Sequence, residues 1–125
     1  MIYYSTTVTA IGEEVHDLLD GGVLILYCDG APPALAEVSV QHLVNAEVPL
    51  LPPPVGAHIS LGGLRTRVSA VGSSAWNKVR DLGHVVINFN GSSHAERPGE
   101  ICVEACDSEW VKREVYAGST IVIAD

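Results

Sequence analysis

The stretch Leu35 to Asn45, LAEVSVQHLVN, alternates with period two, a spacing that suits a pleated strand and defeats a helix. Read this way, Ala36, Val38, Val40, His42 and Val44 share one face, and Glu37, Ser39, Gln41, Leu43 and Asn45 the other. Similar short pieces recur along the chain. Ile2 to Ile11 is rich in β-branched residues and tyrosine and is expected to lie along a sheet edge or to close a barrel. Gly22 to Cys28 is a continuous apolar run of buried-strand length, and Asp29 to Pro33 is its turn. His58 to Leu61 and Leu64 to Val71 flank Gly62 and Gly63, which predicts a hairpin. His84 to Asn90 alternates again, with Val85, Ile87 and Phe89 on one face, and Glu100 to Ala105 and Ser119 to Ala124 read as closing strands.

Helical spacing is confined to two short segments. Ile11, Val15, Leu18 and Leu19 form one, stopped by Gly21 and Gly22; Trp76, Val79 and Leu82 form the other, capped by Ser73 or Ser74 and ended by Gly83. A charged turn or short helix is expected around Asp107 to Arg113, with Trp110 as a lid on the core. The run of prolines inside Glu47 to Gly56 removes donors and fixes φ, so this segment is a stiff loop. The expected fold is mainly β, a small barrel or sandwich of short strands with two short helices. No internal repeat stands out.

Totals narrow the function. A chain of 125 residues, 47% hydrophobic and 18% charged, is read as one domain, residues 1–125, with a single core. Its apolar runs are too short to span a bilayer, and Met1 to Ala10 has no signal-peptide pattern, so a cytoplasmic location is expected. Seven Lys and Arg against fifteen Asp and Glu argue against a nucleic-acid partner. Cys28, Cys102 and Cys106 are an odd number suited to reduced thiols. The spacing of Cys102 and Cys106 lacks the second pair a zinc site needs, and no metal or other cofactor is expected. No phosphate-binding glycine loop and no nucleophile elbow is present. What remains is histidine chemistry: a neutral imidazole can attack phosphorus without a separate strong base. His42 and His84 are the candidates, and His16 reads as a solvated surface residue. A histidine in line with valines is more often a packed core residue, so the spacing alone leaves both readings open.

Five blocks carry a resemblance: TTVTAIG at Thr6 to Gly12, GAPPALAE at Gly30 to Glu37, ISLGG at Ile59 to Gly63, VSAVGSSAWNKVRDLGHV at Val68 to Val85, and FNGSSHAERPG at Phe89 to Gly99. Through them the chain resembles the glucitol/sorbitol-specific enzyme IIA family of the phosphoenolpyruvate:sugar phosphotransferase system. The resemblance implies a phosphocarrier that accepts a phosphoryl group from HPr and passes it to the IIB part of a IIB/IIC sugar permease, meeting the membrane only through that permease. It places the acceptor at His42, matching the first histidine of the family's H-C-H-G-E pattern, and suggests His84 as a second imidazole hydrogen-bonded to the phosphoryl group. Val44 replaces the family's second histidine, and Asn45-Ala46 stands where Gly-Glu is expected. A degenerate relative that binds a partner or a sugar without carrying phosphate is the alternative.

Overall fold

The alternating segments pair edge to edge until the sheet closes on itself. In the computed structural model, which describes residues 1–125, eight strands form a closed barrel: β1 (Ile2–Ile11), β2 (Val23–Cys28), β3 (Ser39–Val44), β4 (His58–Leu61), β5 (Leu64–Val71), β6 (Val85–Asn88), β7 (Glu100–Val103) and β8 (Thr120–Ala124). Around the barrel they run β1-β3-β2-β6-β7-β5-β4-β8, and β8 returns to pair with β1. Inward positions alternate as the pleat requires, filling the interior with Leu24, Leu26, Val40, Ile59, Leu61, Val85, Ile87, Ile101, Ile121 and Ile123. Closure leaves no strand edge exposed to other chains.

There are four short helices, where two and a charged turn or short helix at the place of the last are expected: α1 (Val15–Asp20), α2 (Pro33–Ala36), α3 (Ala75–Leu82) and α4 (Ser108–Glu114). The extra one breaks the long strand expected from Leu35. β2 and β3 are parallel, which a tight turn cannot connect, so the chain must cross over before pairing. Proline at the start of α2 presets φ for that crossover, and the strand begins only at Ser39. Its inward stripe is Val40 and His42, and Val44 is exposed. Trp110 is no lid: it is 45% exposed. Asp107 accepts a hydrogen bond from the Glu109 N–H and sets the rotation of α4 so that Val111, one position further on, faces the core with Val115.

The barrel is also built twice, a repeat that the sequence reading missed. β1, β2 and β3 correspond to β5, β6 and β7, with the same register throughout. Val8, Ala10 and Ile11 pair with His42, Gln41 and Val40; Val68, Ala70 and Val71 pair with Val103, Cys102 and Ile101, and both strands bulge at the same place. Ile25 and Leu26 face Ser39 and Val40 in parallel, as Val86 and Ile87 face Glu100 and Ile101. The glycine at each strand-to-helix corner is fixed by contact: a Cβ on Gly12 would lie 2.2 Å from the Ala36 carbonyl oxygen, and one on Gly72 2.3 Å from that of Pro98. Residues 4–19 thus play the roles of 64–79, and 22–42 those of 83–103. The two copies share few identities beyond Val-x-Ala-(Ile/Val)-Gly, because the pleat constrains size and polarity far more than identity.

Because backbone and not a flexible side chain fills the space at both corners, Gly12→Ala and Gly72→Ala should each destabilise the barrel by about 1–3 kcal/mol or more. Urea unfolding checks this, and a variant of unchanged midpoint would mean that the corners are looser than the contacts imply.

Candidate functional site

His42 is the one imidazole inside the barrel. The alternation of β3 turns it inward beside Val40, and it is 1% exposed. The inward alternation of β1, Tyr4, Thr6 and Val8, aims Tyr4 at it, and the Tyr4 hydroxyl lies 2.5 Å from His42 Nε2. The two rings meet edge to face, with centroids 5.4 Å apart. On the far side His42 Nδ1 faces the Val40 carbonyl oxygen at 3.5 Å, a long contact.

These partners decide the proton positions. Burial raises the Tyr4 phenol far above its ordinary range, and the nearby Cys28 thiol adds to the effect, so Tyr4 keeps its proton at neutral pH. That O–H must donate, and Nε2 is its only partner. Nε2 therefore carries the lone pair and Nδ1 the proton, which points to the Val40 carbonyl. Burial also pushes the His42 pKa below the usual histidine range, an effect only partly offset by Val40. The result is a neutral imidazole with its nucleophilic nitrogen aimed at a phenol.

The enclosure comes from elements distant in sequence. Gly83, the left-handed residue that ends α3, sits so close that a Cβ would lie 3.1 Å from the Tyr4 hydroxyl and 3.0 Å from Cys28 Cβ. Trp76 of α3 stacks edge-on against both Tyr3 and Tyr4, and its indole N–H donates to the Pro49 carbonyl at 2.9 Å. The proline-rich loop is thereby tied to the aromatic layer above His42. Outside, Leu43, Val44, Leu50, Leu51 and Val55 are exposed apolar side chains on the end of β3 and on that loop.

His84 is not in this group. It precedes β6 with its side chain on the outer face, opposite to inward Val85, whereas His42 points inward. Its Nδ1–H donates to the Leu26 carbonyl at 3.2 Å, and its ring packs on Tyr27 at 5.2 Å. It makes no hydrogen bond to His42 or Tyr4. No three His, Cys, Asp or Glu side chains converge as a metal site. The sequence reading missed Tyr4, although the alternation Tyr4, Thr6, Val8 was the signal for its inward aim; the contact of Gly83 with the phenol has no sequence signal.

The model of the family described as the PTS system glucitol/sorbitol-specific IIA component matches residues 3–122. Proteins named "PTS system glucitol/sorbitol-specific EIIA component" from Shigella flexneri and Escherichia coli are each 40% identical over 102 residues, covering 82% of this chain and 81% of theirs. A crystal structure titled as a PTS system IIA component from Enterococcus faecalis superposes with a TM-score of 0.74 over 97% of this chain and 99% of that one, at 18% identity, and shares its fold.

A neutral buried histidine leaves a mark on stability. Above about pH 6.5 the imidazole is neutral in both folded and unfolded chains. As pH falls below that value the unfolded chain gains a proton that folded His42 resists, so stability drops until the lower folded pKa is reached. His42→Val should remove that part of the slope in unfolding free energy between pH 7 and 5, and an unchanged slope would place the titration elsewhere.

Proposed function

The chain belongs to the family of glucitol/sorbitol-specific IIA components of the phosphotransferase system, and from that membership we propose that it is a histidine phosphocarrier, taking a phosphoryl group from phospho-HPr onto His42 and passing it to the IIB part of a glucitol/sorbitol-type permease. A phosphotransferase role in sugar transport follows from the family; the acceptor, the partners and a cytoplasmic location are our reading. One observation carries the assignment of His42. Its counterpart in the second half of the barrel is Val103, and the counterpart of Tyr4 is Leu64, both buried in the same register. The fold is satisfied by valine and leucine at these places, so histidine and tyrosine are there for chemistry.

In the proposed transfer, the donor's N–P bond breaks as a bond forms from phosphorus to His42 Nε2. The proton on Nδ1 stays, and the Val40 carbonyl faces it as the ring gains positive charge. The Tyr4 hydroxyl must leave Nε2 for phosphorus to approach in line, and the freed O–H can then donate to a phosphoryl oxygen. His84 has a positioning role here: its bond to Leu26 holds the residue after Gly83, and hence the wall against Tyr4. The exposed apolar side chains Leu43, Val44, Leu50, Leu51 and Val55 suit docking of a protein partner that excludes water. The near-complete burial of His42 favours a second reading, a module that binds a partner or sugar without carrying phosphate.

Incubation with phosphoenolpyruvate, enzyme I and HPr separates the two. Acid-labile, base-stable phosphate should appear on the chain and vanish in His42→Val, which keeps the fold. No labelling of the wild type, together with tight saturable polyol binding to the isolated chain, would establish the module. Tyr4→Phe should slow labelling about ten- to a hundredfold, the loss of one donor to the transferring group. A faster rate would show that the phenol only obstructs.

A further inference from the structure

The second half of the barrel holds a feature that the carrier reading does not use. A cavity of about 300 Å³ is lined by Lys78 of α3, His84, Val86 of β6, and Arg97, Pro98, Gly99 and Glu100 at the entry to β7. In a chain with fifteen acidic residues and seven lysines and arginines, Lys112 is the only lysine or arginine in an ion pair. Lys78 and Arg97 nevertheless converge on one hollow without a carboxylate partner. The one carboxylate in the lining, Glu100, makes no ion pair with either of them, so both cations keep charge available to an anion.

We propose that the Lys78–His84–Arg97 cavity binds a small phosphate-class anion, inorganic phosphate or a compact phosphate monoester. Three observations carry it. First, the basic groups are not required by the fold, since the equivalent positions of the first half are Leu18 for Lys78, Val23 for His84 and Ala36 for Arg97. Second, the hollow is shaped by backbone. The Lys78 side chain lies along Gly99, its Nζ at ordinary contact distance, 3.4 Å, from a Cβ placed there. Third, the remaining polar groups are already oriented. His84 is fixed by Nδ1–H to the Leu26 carbonyl, which leaves Nε2 without a protein partner; in the neutral ring that nitrogen is an acceptor, matched to the P–O–H of a monoprotonated phosphate. Glu100, the single acid in the lining, is buried, and one of its carboxylate oxygens accepts a hydrogen bond from the Cys102 thiol. Lys78 and Arg97 supply the charge and Arg97 the fork that matches paired phosphate oxygens. The cavity volume fits one phosphate group with a short ester arm, and is too small for a nucleotide in full contact. This site lies on the outer face, whereas His42 lies inside the barrel, so the inference stands whether or not His42 is phosphorylated.

The test is a titration of the whole chain by NMR at constant ionic strength, with inorganic phosphate in one arm and glycerol phosphate in another, against chloride and uncharged glycerol. Saturable shifts of the His84 ring protons and the Gly99 amide are expected, with a dissociation constant on the order of millimolar. Tighter binding of glycerol phosphate would identify a monoester site, and equal binding a site for the oxyanion alone. Lys78→Ala and Arg97→Ala, both at exposed positions, should each weaken binding about fivefold or more, and Arg65→Ala, on β5, should leave it unchanged. Non-saturable shifts, shifts away from His84 and Gly99, or equal loss in Arg65→Ala would overturn the proposal in favour of general charge screening.

Discussion

Pairing of β1 with β3 on one side and with β8 on the other closes the sheet, and every other property of the interior depends on it. An open sheet would expose the face that carries Tyr4, Thr6 and Val8; closed, that face has no water and each polar group on it must find a protein partner. Thr6 finds the Ile121 carbonyl of β8, and Thr66, its counterpart, finds the Glu104 carbonyl. Tyr4 finds His42. The short contact between phenol and imidazole is thus a consequence of closure: two polar side chains sealed into an apolar interior satisfy one another. The same sealing keeps the phenol protonated and the imidazole neutral.

Duplication turns the molecule into its own control. Both halves solve the same problem, a strand, a glycine corner, a short helix, a second strand and a parallel crossover to a third, so a residue demanded by the architecture should have an equivalent of like kind. Gly12 and Gly72 do, as do Thr6 and Thr66, Val8 and Val68, and Val40 and Ile101. Tyr4 against Leu64 and His42 against Val103 do not, and neither do Lys78, His84 and Arg97 against Leu18, Val23 and Ala36. One departure lies inside the barrel and concerns the proposed acceptor histidine and its phenol. The other lies outside and concerns charge.

Much of the fold was legible because the pleat leaves a simple trace. Val85, Ile87 and Phe89 alternate as written and are buried, and the Gly62-Gly63 turn sits between paired strands. The errors have physical causes. Period two continued through Leu35 to Asn45 although the parallel pairing of β2 with β3 required a crossover, and no local pattern reports strand direction. Trp110 is expected as a lid on the core, whereas the cap at Asp107 sets the helix phase and leaves it exposed. His42 was visible as a histidine on an apolar stripe, but not its enclosure, which is assembled from Tyr4, Trp76 and Gly83, residues far apart in the chain. His84 is expected on the face opposite Val85, Ile87 and Phe89 and lies there, packed on Tyr27 with its Nδ1–H on the Leu26 carbonyl and no hydrogen bond to His42 or Tyr4.

The proposed transfer depends on a buried imidazole whose lone pair is on Nε2 and is held by Tyr4 until a donor displaces it. The most direct measurement is phosphorus–nitrogen NMR on the chain labelled with nitrogen-15 at histidine, before and after phosphorylation by phospho-HPr. Before transfer, His42 should show the neutral form with the proton on Nδ1. Afterwards, phosphorus should couple to Nε2 of His42, with the other four histidines unchanged. Phosphorus bonded to Nδ1, phosphorus on any other histidine, or a His42 that starts with its proton on Nε2 would contradict the account.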